Sequence, residues 1–220
     1  CTMNPLDNYY ASSTFSEGNC KTVTGASGIE TFNTSTFWLT AGRWYYEVKV
    51  ITVNRSDIGF SDTVSTGASY YLGQSNGVAW RWDGNFRVSN SYATESGDEI
   101  DSYTDGDVLG FYLDLEDNKI YVAKNGTIQN SGTGIAITAP ASVASGTGAY
   151  TPSFGDEHST SSTLEINFGN PPWSLTSAVT DDNGYGSFEY SPNDGGSSSF
   201  DSSAKKFYAI CTKNLAEFGG

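Results

Sequence analysis

The chain has 220 residues, with 11 basic and 25 acidic side chains and a formal net charge of −14. That balance excludes direct capture of nucleic-acid phosphates and leaves no basic stripe for an anionic membrane. Aromatics reach 14%, too many for an intrinsically disordered chain, and frequent Gly, Ser and Thr favour strands and turns over helices.

Residues 1–41 carry short strand-forming stretches. Trp44–Val53 alternates, with Trp44, Tyr46, Val48 and Val50 on one face and Tyr45, Glu47, Lys49 and Ile51 on the other. The polar turn Asn54–Ser56 leads into a strand at Asp57–Ser61. Gly77–Trp82 sets Val78, Trp80 and Trp82 on one face, and Asp83-Gly84 turns it into Asn85–Val88. Asp107–Leu115 and Lys119–Lys124 are strands joined by Glu116-Asp117-Asn118. Asn125-Gly126 is a hairpin signal, because both central positions of a type I′ turn need positive φ. Ser131–Thr147 and Asp156–Ser162 read as loops, and Ser191–Ser203 as an exposed polar excursion. Tyr150–Phe154, Thr163–Phe168 and Lys205–Thr212 complete the strands. This spacing predicts an all-β, antiparallel two-sheet β-sandwich. One domain spans 1–220, its core at about 42–169, with the N-terminal strands 1–41 and a C-terminal extension, 170–220, wrapping the same sandwich. Trp44, Tyr46, Val48, Phe60, Trp80, Trp82, Leu109, Phe111, Ile120 and Val122 are expected in the core.

Cys1, Cys20 and Cys211 are odd in number, so no complete disulfide framework exists. We read all three as reduced; Cys1 with Cys211 is the one pair to consider for a bridge. No run reaches the roughly 18 apolar residues of a membrane helix. The chain does not begin with Met, so processing or a longer parent polypeptide is expected, and an N-terminal Cys also fits a lipidated bacterial lipoprotein.

Four blocks in the middle of the chain resemble the SPRY (B30.2-type) family. They are Gly42-Arg43-Trp44-Tyr45-Tyr46-Glu47-Val48, Ile58-Gly59-Phe60-Ser61, Trp80–Gly84, and the hairpin from Gly106-Asp107-Val108-Leu109-Gly110 through Leu113-Asp114-Leu115 to Val122–Gly126. Tyr150–Phe154 and Ile166–Gly169 fit its closing strands. The resemblance implies a concanavalin A-like sandwich that binds protein partners through loops at one rim, with no catalysis and no cofactor. Shorter motifs in the flanks, Asn4–Asn8, Phe168–Pro172, Asn183–Gly186 and Thr212–Leu215, resemble the wrapping of SPRY modules in structural proteins of tailed bacteriophages. That second resemblance implies a virion location, as a tail-fibre, receptor-binding or capsid-decorating protein. Its partners would be other virion subunits or a host-surface protein or glycan, with self-association inside the particle allowed.

The residues themselves argue against catalysis. His158, the single His, stands in Asp156-Glu157-His158, and three consecutive loop residues cannot all face one ion. Glu99-Ile100-Asp101 begins the E-x-D-x-x-E of some sandwich glycosidases, but Thr104 stands where the second Glu is needed. No G-x-S-x-G and no C-x-x-C is present. Structural calcium at Asp181-Asp182-Asn183-Gly184 stays open, although such clusters are usually plain turns. Trp80 and Trp82 read as core before a sugar-stacking platform. Tyr70, Tyr71, Tyr92 and Tyr103 lie among Ser, Gly and Asn, a composition of adaptable binding loops, and equally one of rings packed over a sheet edge. With Arg55 and Asn85 they form the candidate binding set, in loops near Asn54–Ser56, Thr66–Asn76, Ser89–Asp105 and Asn125–Gly134. The alternatives are a lectin-like carbohydrate-binding domain or glycoside hydrolase, and a secreted or lipid-anchored bacterial surface protein.

Overall fold

The computed structural model describes residues 1–8, 13–25, 31–65, 71–94, 100–143, 145–156, 160–193, 200–201 and 204–219, with 31 and 92–94 given as backbone only. Its strands are β1 (Thr14–Ser16), β2 (Lys21–Val23), β3 (Thr31–Thr34), β4 (Arg43–Thr52), β5 (Ser56–Ser61), β6 (Val78–Arg81), β7 (Phe86–Val88), β8 (Ser91–Thr94), β9 (Val108–Asp114), β10 (Lys119–Lys124), β11 (Thr127–Ile128), β12 (Ile135–Ala136), β13 (Thr151–Asp156), β14 (Thr163–Asn167) and β15 (Tyr208–Ala209), followed by helix α1 (Thr212–Phe218). The larger sheet runs β1-β2-β14-β4-β9-β10-β11, with β12 beside β10 and β15 parallel to the start of β4. The smaller runs β3-β13-β5-β6-β7-β8. The architecture is the antiparallel two-sheet sandwich that the alternation predicts. Asn125 and Gly126 both take positive φ, 49° and 77°, between β10 and β11, as a type I′ turn demands.

The inward face of β4 fills the space between the sheets. Trp44, Tyr46, Val48 and Val50 meet Leu109, Phe111, Ile120 and Val122 of their own sheet and Ile58, Phe60, Val78, Trp80 and Phe154 of the other. Tyr46 joins the two layers. Its ring stacks on Phe111 at 4.9 Å, and its Oη donates to the Gly59 carbonyl at 2.8 Å, so a buried hydroxyl keeps a partner.

The opposite face of β4, β9 and β10 is covered rather than wet. Tyr45, Tyr112, Tyr121 and Ala123 are buried against Phe188, Phe200, Phe207 and Ala209, all from the segment that follows β14. The rings meet tilted or edge-on, with Tyr45–Phe188 at 4.9 Å and Tyr121–Phe200 at 4.7 Å, arrangements that their quadrupoles favour. Three buried or half-buried carboxylates fasten this cover. Glu47 accepts hydrogen bonds from Tyr45 Oη (2.9 Å), Asn167 Nδ2 (3.0 Å) and the main-chain N–H groups of Glu189 (2.9 Å) and Tyr190 (2.7 Å). Burial pushes the Glu47 carboxyl above the usual carboxylate range, while those four donors pull the other way. Asp181 accepts from the N–H groups of Asn183, Tyr185 and Ala209 and from Asn214 Nδ2.

Asp201 is the third. Burial works to raise its pKa, but Lys119 Nζ and Tyr121 Oη, both at 2.6 Å, and the Gly134 N–H at 3.1 Å bring it down from 3.8 to about 2. A carboxylate held below its unfolded pKa contributes stability that is complete above about pH 4 and lost as the pH falls through about 2. Acid unfolding followed by tryptophan fluorescence should therefore show a flatter profile between those values for Asp201→Asn than for the parent chain.

Two expectations fail. Ser191–Ser203 is not an exposed excursion among its described residues: Pro192 is buried and Phe200 is fully buried under the sheet. Lys205–Thr212 is not a continuous strand: Tyr208 and Ala209 pair with β4, Lys206 makes one isolated bridge to Asn193, and the chain then turns into α1. Leu215 and Phe218, three residues apart, reach the core from one helix face, and Phe218 stacks on Tyr208 at 4.1 Å. That tertiary contact outweighs the strand-like composition. Trp82, one residue beyond the end of β6, packs against the core cluster while part of its ring stays exposed at the rim. Trp80 and the other eight expected core residues are buried.

Candidate protein-binding rim

The three-residue link Val53–Arg55 carries the chain from the large sheet to the small one. It is tightly held. Val53 N–H donates to Asp105 Oδ1 at 2.7 Å, Asn54 N–H to Ser162 Oγ at 2.9 Å, and Asn54 Nδ2 to the Ser161 carbonyl at 3.0 Å. Arg55 sits at φ +50°, a left-handed backbone that non-glycine residues adopt at a cost. Its side chain is exposed and makes no hydrogen bond or ion pair among the described residues.

Facing this link is the segment Ser102–Thr104. Lys124 Nζ donates to the Ser102 carbonyl at 2.7 Å, Tyr103 N–H to the Trp82 carbonyl at 3.3 Å, and Thr104 N–H to Asp107 Oδ2 at 2.8 Å. Between the two lies a cleft of about 390 Å³ lined by Val53, Asn54, Arg55, Trp82, Ser102, Tyr103 and Thr104. Trp82 brings a half-buried ring, and its buried Nε1–H has no acceptor among the described residues. Elsewhere in the sandwich an indole donor is paired: Trp80 Nε1 reaches the Asp101 carbonyl at 3.0 Å. The cleft thus offers a cation that no described residue pairs, and apolar ring surface, on walls fixed by main-chain hydrogen bonds.

The structure sorts the candidate binding residues. Arg55 and Tyr103 come together in the cleft, but Tyr103 is its floor. The ring is 2% exposed and Oη donates to the Ser56 carbonyl at 2.5 Å, and burial pushes its hydroxyl well above the usual range. Asn85 lies on the same rim but serves its own turn, with its N–H and Nδ2 on Asp83 at 3.1 and 2.9 Å. Tyr71 is at the other end of the sandwich, where its Oη bonds Asn90 and the Arg87 guanidinium lies 4.6 Å over its ring. Tyr70 lies outside the described residues, as does the side chain of Tyr92. The four expected contact loops are accordingly split between both ends, not gathered at one rim.

Two of the other candidate clusters are taken up by internal contacts. Both Asp181 oxygens are taken up by N–H donors, so the turn at Asp181–Gly184 does not fit a calcium ion. No cluster of three or more His, Cys, Asp or Glu suited to a metal occurs among the described residues. Glu99, Glu157 and His158 lie outside them. Asp114, Glu116 and Asp117 are engaged by Arg43 and Lys205.

The profile of the SPRY domain family matches residues 43–171, more than half of the chain. The chain belongs to the SPRY family. Among solved structures it is similar to the SPRY domain of human HERC1, at a TM-score of 0.57 and 18% identity, covering 74% of this chain and 96% of that one. At that identity the likeness speaks for the fold alone. No curated protein matches the sequence. SPRY domains are typically protein-interaction modules.

Proposed function

We propose that this SPRY domain is a non-catalytic module that holds a protein partner at the Arg55–Trp82 cleft. The observation that carries this is an exposed guanidinium, without hydrogen bond or ion pair among the described residues, beside the partly exposed ring of Trp82 on one rigidly walled cleft of about 390 Å³. A segment presenting a carboxylate to Arg55 and an apolar side chain to the ring satisfies both. Preorganised walls keep the ordering cost of such a contact low.

The finer setting we propose is a bacteriophage particle, with a neighbouring virion subunit or a host-surface protein as partner. Its support is the flank resemblance alone. Within the fold those flank motifs act internally, Asp7 on Thr34 and Asn183 on Asn214, so they account for the wrap around the sandwich. Mass spectrometry of purified particles tests the setting, and absence of the chain from them would sink it.

The cleft is tested by selection from a displayed random-peptide library on the whole chain. Selected peptides should carry an acidic residue, and Arg55→Ala should weaken them by about tenfold or more. Thermal stability of Arg55→Ala should stay within about 0.5 kcal/mol of the parent, since nothing in the fold depends on that side chain. Peptides that bind Arg55→Ala as tightly as the parent would remove the cleft from consideration. A glycan array run in parallel separates a sugar partner stacking on Trp82.

A further inference from the structure

The chain's three cysteines, far apart in sequence, line a single cavity of about 400 Å³ at the other end of the sandwich. Cys20 is buried in the turn between β1 and β2, and Cys1 and Cys211 are half-buried. Separate main-chain bonds hold the three segments: Met3 N–H to the Asn19 carbonyl at 3.0 Å, Ile166 N–H to the Cys20 carbonyl at 2.7 Å, and Cys211 N–H to the Ala209 carbonyl at 2.8 Å. All three thiols are free. None has a strong partner. Cys1 Sγ and Cys20 Sγ reach carbonyls only at 4.0 and 3.9 Å, and Cys211 precedes α1 without using its side chain as a cap.

We propose that this cavity is a thiol-exchange site, in which Cys1 and Cys211 join as a disulfide when the chain meets a low-molecular-weight disulfide. Solvent reaches these two, whereas Cys20 is buried and burial pushes its thiol up, which disfavours the nucleophilic thiolate. Glu17 and Lys213 also line the cavity. The chemistry balances without a metal. One thiolate attacks the small disulfide, forming a mixed disulfide and expelling one small thiolate. The second cysteine attacks the protein sulfur of that mixed disulfide and expels the other. Two cysteine thiols are oxidised, one small disulfide is reduced to two thiols, and the two protons pass from the cysteines to the expelled thiolates. The bond would tie the segment before β1 to α1, closing a loop of nearly the whole chain.

The test incubates the reduced full chain with oxidised glutathione and reads intact mass and a non-reducing peptide map. The expected product is lighter by two hydrogens, contains a Cys1–Cys211 peptide, reverts with dithiothreitol and melts several degrees higher. Cys20→Ser should form the same bridge, and Cys1→Ser and Cys211→Ser should each stop at a glutathione adduct. No reaction, adducts alone on the parent chain, or a bridge containing Cys20 would overturn the proposal.

Discussion

Asp114→Ala is expected to lower unfolding free energy by about 3–5 kcal/mol, the range for removing one partner of a buried ion pair. Asp114 is fully buried at the end of β9. One oxygen accepts Arg43 Nε at 3.0 Å and Lys205 Nζ at 2.7 Å, and the other accepts the N–H groups of Glu116 and Asp117 at 3.1 and 3.0 Å. Alanine removes the acceptor from all four donors and leaves the Lys205 ammonium, 7% exposed, with the largely exposed Asp117 carboxylate and the Tyr121 ring 5.4 Å away. It also frees the β9–β10 turn and loosens the segment that carries Phe207. Asp114→Asn keeps an acceptor for the turn but not the charge, so its loss should be smaller. Urea unfolding of the three chains, read by tryptophan fluorescence, checks the order; equal stability of parent and Asp114→Ala would refute the account.

Gly59→Ala is expected to cost about 3 kcal/mol or more, at or beyond the upper end for overpacking. Gly59 lies in the middle of β5, and a Cβ there would stand 2.1 Å from the Val78 carbonyl oxygen and 2.9 Å from its carbon. These are backbone atoms of the neighbouring strand and cannot swing aside as a side chain does. Relief requires β5 and β6 to separate, and the Gly59 carbonyl that accepts Tyr46 Oη moves with them. A thermal midpoint within a degree of the parent would show that the strands yield at no cost.

Much of the sandwich was legible because its strands are written in period two. Trp44–Val50, Ile58–Phe60 and Leu109–Val122 need only alternation to be placed, and Asn125-Gly126 only its two positive φ angles. What lies outside the ladders was not legible in that way. Trp82 continues the alternation onto the core, but because β6 has already ended at Arg81 part of its ring stays exposed at the rim. Tyr45 and Glu47 read as one face of a strand, and nothing local says that Phe188, Phe200 and the amides of Glu189 and Tyr190 will cover them from some 140 residues downstream. The cleft was half legible. Arg55 sits in a polar turn and was a natural candidate, but the buried floor role of Tyr103 depends on Ser56 and Trp80 closing over it. Tyr71 and Arg55, grouped by composition, stand at opposite ends because β5 and β6 lie between them.

The covered outer face also bears on where this protein can be divided. The family match stops at residue 171, whereas the aromatic slab of Tyr45, Tyr112 and Tyr121 is closed by side chains that follow it. A fragment trimmed to the matched stretch would keep every sandwich strand from β4 to β14 and still leave an aromatic patch and the carboxylates of Glu47 and Asp114 without their covering partners. Patches of that kind drive self-association. The segment past the motif boundary therefore packs on the sheet as a further layer, and cutting at residue 171 would uncover it.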